Sequence, residues 1–280
     1  MKATKLSWII GVFLTVICAG VNASAGKYFN RVVYVLFENT GYLKTIKQPF
    51  FSKLSQSGAN FAAFTAETHP SQGNYIALTS GDLNGVKNDA NYDLNVNNIV
   101  DLLDARNITW KVYAEAYPGN CFQGLKSGSY ARKHNPFISY TSIQKNVNRC
   151  ANIVDASQFD KDAASGQLPN YVFYVPDIKN DGHDTGVSYA DKWYSKKFSP
   201  YVNDPVFMND TILITTFDEN DGTNGNQIYT SIVGPHVKAV SVTAQVSHYS
   251  LLKLMEDNWD LGNLGKLDAT AAPIPENIWK

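Results

Sequence analysis

Two acidic pairs, each following an unbroken apolar run, carry the clearest chemical signal in the sequence. Glu38-Asn39 follows Arg31–Phe37 (RVVYVLF), and Asp218-Glu219 follows residues 211–217 (TILITTF). If both runs are strands of one parallel sheet, their carboxyl ends open on the same crevice, where ligands of such sheets collect. Glu38, Asp218 and Glu219 then lie close together, and packed carboxylates repel unless a positive charge sits among them. A divalent cation answers that need better than protonation does. Hard carboxylate oxygens with the amide oxygen of Asn39 suit Mg²⁺, Mn²⁺, Ca²⁺ or Zn²⁺. The competing reading, ordinary polar caps at strand ends, serves one such pair well and two matched pairs less well.

A serine supplies the complementary chemistry. Residues 68–81 read THPSQGNYIALTSG, with Ser71 between Pro70 and Gly73 and an apolar stretch behind it. A serine on a turn at a helix start exposes its hydroxyl where backbone N–H groups and the helix dipole face an incoming anion. A free hydroxyl is a poor nucleophile, and metal coordination is one way to activate it. Taken alone, Ser71 reads more readily as a helix N-cap, common at helix starts. Residues 176–184 (PDIKNDGHD) pack Asp177, Asp181, His183 and Asp184 together after a third apolar run. Such a histidine can bind a metal, meet a phosphate oxygen or protonate a leaving group, although an Asx-rich turn has the same composition. His134 in KHNP and His248 in SHYS are further candidates; His69 and His236 are weaker. No glycine-rich nucleotide loop, CxxC, HExxH or GxSxG pattern is present.

The elements that must position these residues alternate. Strands are predicted over Arg31–Phe37, 109–114, Tyr171–Val175, Thr211–Phe217 and 229–233, and helices over 50–57, from 75, 96–105 and 247–257. That alternation indicates one α/β domain over residues 26–280 with a largely parallel sheet. Residues 118–148 predict an irregular excursion, and the last ten residues, with Pro273 and Pro275, an extended tail.

Composition sets the context. The 280 residues, 44% of them hydrophobic, suffice for a substantial core, and the net charge of -1 gives no basic surplus for nucleic acid. Lys2 and Lys5, an apolar stretch from Leu6 to Ala19, and Ala23-Ser24-Ala25 make a secretory signal peptide over residues 1–25. The stretch is short for a membrane span of about 20 residues. A secreted or periplasmic chain starting near Gly26 and without stable membrane insertion is expected. Cys18 would leave with the signal, and Cys121 and Cys150 would pair. Closing a loop of about 30 residues stabilises by roughly 3–4 kcal/mol in the chain-entropy model.

Six blocks then stand in order: FEN at 37–39, HPSQGNYIALTSG at 69–81, KHNPF at 133–137, PDIKNDGHD at 176–184, FDEN at 217–220 and SHYSLLKLMEDNWDLGNLG at 247–265. Together they resemble the phosphoesterase family of secreted acid phosphatases and non-haemolytic phospholipases C, within the alkaline phosphatase-like superfamily. The resemblance implies a three-layer α/β sandwich with a largely parallel central sheet. It implies Glu38, Asn39, Ser71, Asp218 and Glu219 as ligands of a divalent metal and Ser71 as nucleophile, with Asn74 aligned to the Asn of the superfamily's turn. It implies His134 and His183 as contacts to the phosphate or leaving group, and His69 near the nucleophile. Gly73 stands where that turn usually has proline, and Gly41-Tyr42-Leu43-Lys44 where the first block usually continues with Asp-His.

The activity so implied is a secreted acid phosphatase acting on small phosphomonoesters through a phosphoserine. A phospholipase C-type phosphodiesterase ranks second, since such family members carry extra C-terminal β domains. A sulfatase is disfavoured because Gln72-Gly73-Asn74 lacks the required arginine. A non-catalytic exported binding protein on the same scaffold is the third reading.

Overall fold

A computed structural model of the chain describes residues 25–280 together with Met1. The expected signal peptide and Cys18 fall outside the described residues. The strands that build the central sheet are β1 (Arg31–Phe37), β2 (Ala59–Phe61), β3 (Trp110–Ala114), β4 (Ile153–Asp155), β5 (Tyr171–Val175), β6 (Thr211–Phe217), β7 (Thr230–Val233) and β8 (Val240–Val242). The main helices are α1 (Pro49–Ser57), α2 (Gln72–Ser80), α3 (Ile99–Ala105), α4 (Ser157–Ala164), α5 (Val187–Val202) and α6 (His248–Asn258). The eight strands lie in the order β8-β2-β7-β6-β1-β5-β3-β4. Only β7 runs against its neighbours β6 and β2; the other pairings are parallel.

Parallel strands are covered on both faces, so they are apolar throughout. In β1 every residue but Arg31 is buried, and all of β6 is. Alternation along β1 separates the layers, because residues an odd number apart point to opposite faces. Tyr34 donates to Leu251 O of α6 (3.2 Å). Phe37 instead meets Phe51 of α1 and Tyr194 of α5, with ring centroids 5.0 and 4.8 Å away. Helices therefore cover both faces, giving the expected three layers.

The register delivers the functional ends. Phe37 pairs with Phe217 across β1 and β6, and Asp218 N donates to Phe37 O (2.9 Å). The residue after each strand thus emerges beside the other.

Some elements depart from expectation. The helix expected over 96–105 starts at Ile99, because Asn98 accepts Val100 N–H and Asp101 returns a bond to Asn98 N. β2, β4, β8, α4 and α5 were not predicted. The chain end is not an extended tail. Trp279 stacks on Tyr28 at 4.4 Å, bridges to Val237, and leaves Ile278 buried. Cys121 and Cys150 form the expected disulfide, Cα to Cα 5.6 Å. No helix among the described residues is long and apolar enough to cross a membrane.

Candidate active site

Ser71 is the N-cap residue of α2, a helix whose nine residues are all buried. Asn74 holds the approach to it: its amide oxygen accepts the N–H groups of Glu67 and Thr68 (2.9 and 3.0 Å), and its amide nitrogen donates to Thr68 O (2.9 Å). Asn74 is thereby a brace of the turn, and Ser71 is aimed at the strand ends. Its hydroxyl lies 2.9 Å from Glu38 Oε2 and 3.1 Å from Glu219 Oε1. One proton serves one of these bonds at a time. Where the resemblance led to proline, Gly73 packs so closely that a Cβ there would stand 2.6 Å from Thr68 Cγ2.

Glu38 is the hub. Its Oε1 accepts from Tyr75 Oη (2.6 Å), one helical turn beyond Ser71. His134 Nε2 lies 3.1 Å from the same oxygen, and His134 Nδ1 lies 3.0 Å from Asp181 Oδ2. Glu38, His134 and Asp181 form a buried group whose donor atoms all lie within 4.8 Å of one another, a group that could hold a metal ion. The ring of His134 is 1% exposed and stands behind Glu38. Both of its nitrogens face carboxylates.

Asp218 completes the second acidic pair. Its Oδ1 accepts Asn39 N–H (3.2 Å), made available because Asn39 adopts a positive φ of 53°. Asn39 Oδ1 and Asp218 Oδ2 are buried without a hydrogen-bond partner, while Glu219 Oε2 meets His69 Nδ1. The contacts of His134 with Glu38 Oε1 and Asp181 Oδ2 are close enough for ion pairs but lack hydrogen-bond geometry. Burial raises the carboxyls of Glu38, Asp218, Glu219 and Asp181, and for Asp218 the Glu38 and Glu219 charges push the same way. Burial pulls His134 down to about 4, the Glu38 carboxylate opposing. Crowded, desolvated oxygen donors with orphaned lone pairs are what a divalent cation satisfies.

Less buried charges line the outer side of the site. His69 pairs with Glu219 through Nδ1 and is 45% exposed. His183 is held by Asp184 Oδ1 at Nδ1 (2.7 Å), and its Nε2 lies 3.4 Å from Lys133 Nζ. Lys133 also donates to Asp89 Oδ2 (2.9 Å), while Asp89 Oδ1 accepts Gln72 N–H beside the nucleophile (3.1 Å). Asp177 serves its own loop, accepting Lys179 and Asn180 N–H. His248 lies beneath the site between Glu67 and Phe217 O, and His236 is at the surface near Asp210. Sequence reasoning did not assign Tyr75, Asp89 or Lys133 to the site. Two of them carry a signal: Tyr75 stands four residues after Ser71, and Lys133 opens the KHNPF block beside His134.

The profile of the Phosphoesterase family matches residues 21–262. The chain is 36% identical over 261 residues to a probable acid phosphatase of Kluyveromyces lactis, covering 88% of this chain and 62% of the relative. It is 34% identical to a phosphatidylinositol-3-phosphatase of Mycobacterium tuberculosis, covering 93% and 86% of the two chains. It thus spans about three-fifths of the length of the fungal relatives it matches, 58% for an acid phosphatase of Aspergillus fumigatus. The fold matches a Vibrio parahaemolyticus protein of the alkaline phosphatase superfamily with a TM-score of 0.63, at 15% identity, over 90% of this chain and 72% of that one. With the order of its blocks, the sheet that presents them and the span of that profile in agreement, the chain belongs to the Phosphoesterase family.

Proposed function

We propose that the chain hydrolyses phosphate monoesters with Ser71 as nucleophile. The observation that carries the proposal is the placement of Ser71 Oγ within hydrogen-bonding distance of two carboxylates from different strand ends, Glu38 and Glu219. The unpartnered oxygens of Asn39 and Asp218 support a divalent metal held by Glu38, Asn39, Ser71, Asp218 and Glu219. A metal there supplies charge neutralisation for the serine oxygen and the phosphoryl group. Mg²⁺, Mn²⁺, Ca²⁺ and Zn²⁺ all accept these donors.

Ser71 gives up its proton, for which Glu38 and Glu219 are the acceptors in reach. Its oxygen then bonds to phosphorus as the bond to the leaving oxygen breaks. His183 donates the proton that the leaving oxygen needs. Its ring is fixed by Asp184 yet partly open to solvent, whereas His134 is enclosed. Water next cleaves the phosphoserine and regenerates Ser71. Such chemistry depends mainly on positioning and charge stabilisation. The substrate is a small phosphorylated molecule. One relative, from Mycobacterium tuberculosis, is named a phosphatidylinositol-3-phosphatase, and that name supports the monoester reading over the diester one. Residues 26–280 act as one catalytic domain, exported to the exterior or periplasm behind the signal in residues 1–25.

Ser71→Ala is the test. Turnover of p-nitrophenyl phosphate should vanish while inorganic phosphate still binds by calorimetry. A variant that keeps full turnover would refute the nucleophile. Chelation should abolish activity and added metal should restore it; unchanged activity in chelator would remove the metal from the proposal.

A further inference from the structure

The site has a surplus of negative charge and one lysine at its mouth. Glu38, Asp218, Glu219, Asp181 and Asp89 all bear on it, and a phosphate monoester brings close to two further charges at neutral pH. A diester brings one, and one fewer free oxygen. Something on the chain must compensate the extra oxygen if monoesters are preferred. Lys133 follows from a short turn, Arg132–His134, that packs directly on Glu38 through His134. Its side chain is 16% exposed. The ammonium is tethered on one side by Asp89 Oδ2 (2.9 Å) and lies 3.4 Å from His183 Nε2 on the other. Asp89 is tied in turn to Gln72 N–H, the residue after the nucleophile. The ammonium is thus held beside a histidine by a carboxylate that is itself anchored to the nucleophile helix.

We propose that Lys133 takes the third non-bridging oxygen of a phosphate monoester and so sets the site's preference for monoesters over diesters, with Asp89 as the positioning residue that holds its ammonium there. The proposal rests on Ser71 being the nucleophile. Lys133 donates hydrogen bonds only and keeps its protons throughout. A charge-assisted bond of this kind strengthens as charge builds on the phosphoryl oxygens.

The test compares kcat/KM for p-nitrophenyl phosphate and bis-p-nitrophenyl phosphate at pH 7, in the metal-loaded full chain and in Lys133→Met. The monoester value should fall about 10- to 100-fold further than the diester value, as expected for one lost hydrogen bond to a charged group. Lys133→Arg should recover most of the monoester rate. An equal fall for both esters, or no fall, overturns the proposal. If the wild type does not turn over the diester, the inhibition constant of inorganic phosphate decides: weakening by the same factor supports the proposal and an unchanged constant sinks it. Should Lys133→Met fail to fold, Lys133→Gln, which keeps a donor to Asp89, is judged by the same measurements. A wild type inactive on both esters would instead bring down the proposed function.

Discussion

Ser71 Oγ lies 2.9 Å from Glu38 Oε2, although the two residues stand 33 positions apart in the chain. Neither is placed by local chemistry alone. Glu38 is fixed by the register of β1 against β6, and Ser71 by the packing of α2 and the Asn74 brace. A hydroxyl and a carboxylate buried this deeply are held in position by the sheet and the helix together. Precision at the reacting atoms is therefore a property of the whole sandwich.

Asp218→Asn should separate the stability of the metal-free protein from that of the loaded one. Asp218 Oδ2 is buried and unpartnered, and burial with the Glu38 and Glu219 charges holds this carboxyl well above its usual range. Removing the charge relieves repulsion, so the chelator-treated variant should melt above the chelator-treated wild type. Added divalent metal should then raise only the wild type. Metal at 100 times its Kd contributes about 2.7 kcal/mol, roughly 5–10 °C in a domain of this size class. A variant that melts lower without metal, or gains as much from it, would contradict the ligand assignment.

Tyr75→Phe tests the hub from the other side. The phenol is buried and donates to Glu38 Oε1 at 2.6 Å. Its loss leaves a buried carboxylate oxygen short of a donor, at a cost of about 1–3 kcal/mol. The ring still stacks on His134, with centroids 5.5 Å apart. A fall in kcat of about 10- to 100-fold, with the circular dichroism spectrum unchanged, is the expected result; wild-type kcat would mean that Tyr75 only fills space.

Much of this site was legible because apolar runs announce buried parallel strands. β1, β5 and β6 were readable to the residue, and the acidic pairs after β1 and β6 followed. α5 escaped although Ala190, Tyr194 and Phe198 recur every four residues and are buried. Its other positions are largely polar, and Pro200 interrupts its last turn. His134 falls in the expected neighbourhood, with its two nitrogens against Glu38 and Asp181, a detail that no sequence pattern specifies. Asp89 and Lys133 reach the site from irregular segments, where no periodicity reports which way a side chain points.

Glu256 gives the fold a pH dependence remote from the reaction. It is 2% exposed, neither carboxyl oxygen has a partner with good geometry, and burial with the nearby Asp268 charge pushes it up to about 9. Asp268 accepts Leu264 and Lys266 N–H, and Leu267 N donates to Gly81 O at the end of α2. Since the folded value lies above the unfolded one, the contribution to stability is complete below about pH 4.5, the ordinary carboxyl value, and is lost as pH rises through about 9. Glu256→Gln keeps the neutral shape at every pH. Its melting temperature relative to wild type should therefore rise between pH 5 and pH 9, and a constant difference would show that Glu256 does not titrate as described.

Gly73→Ala probes how tightly the nucleophile turn is closed. The added Cβ would stand 2.6 Å from Thr68 Cγ2. The Thr68 backbone cannot yield easily, because Asn74 binds both its N–H and its carbonyl, and Asn226 donates to that carbonyl as well (3.0 Å). Overpacking of this kind costs about 1–3 kcal/mol, and because Ser71 lies two residues away, kcat should fall with stability. Thr68→Ser deletes the clashing methyl and leaves the hydroxyl. The double variant Thr68→Ser/Gly73→Ala should then recover most of both losses, giving a coupling energy of about 1 kcal/mol or more. If Gly73→Ala is silent, or the second substitution rescues nothing, the turn is looser than its packing indicates and the glycine is not there for want of room.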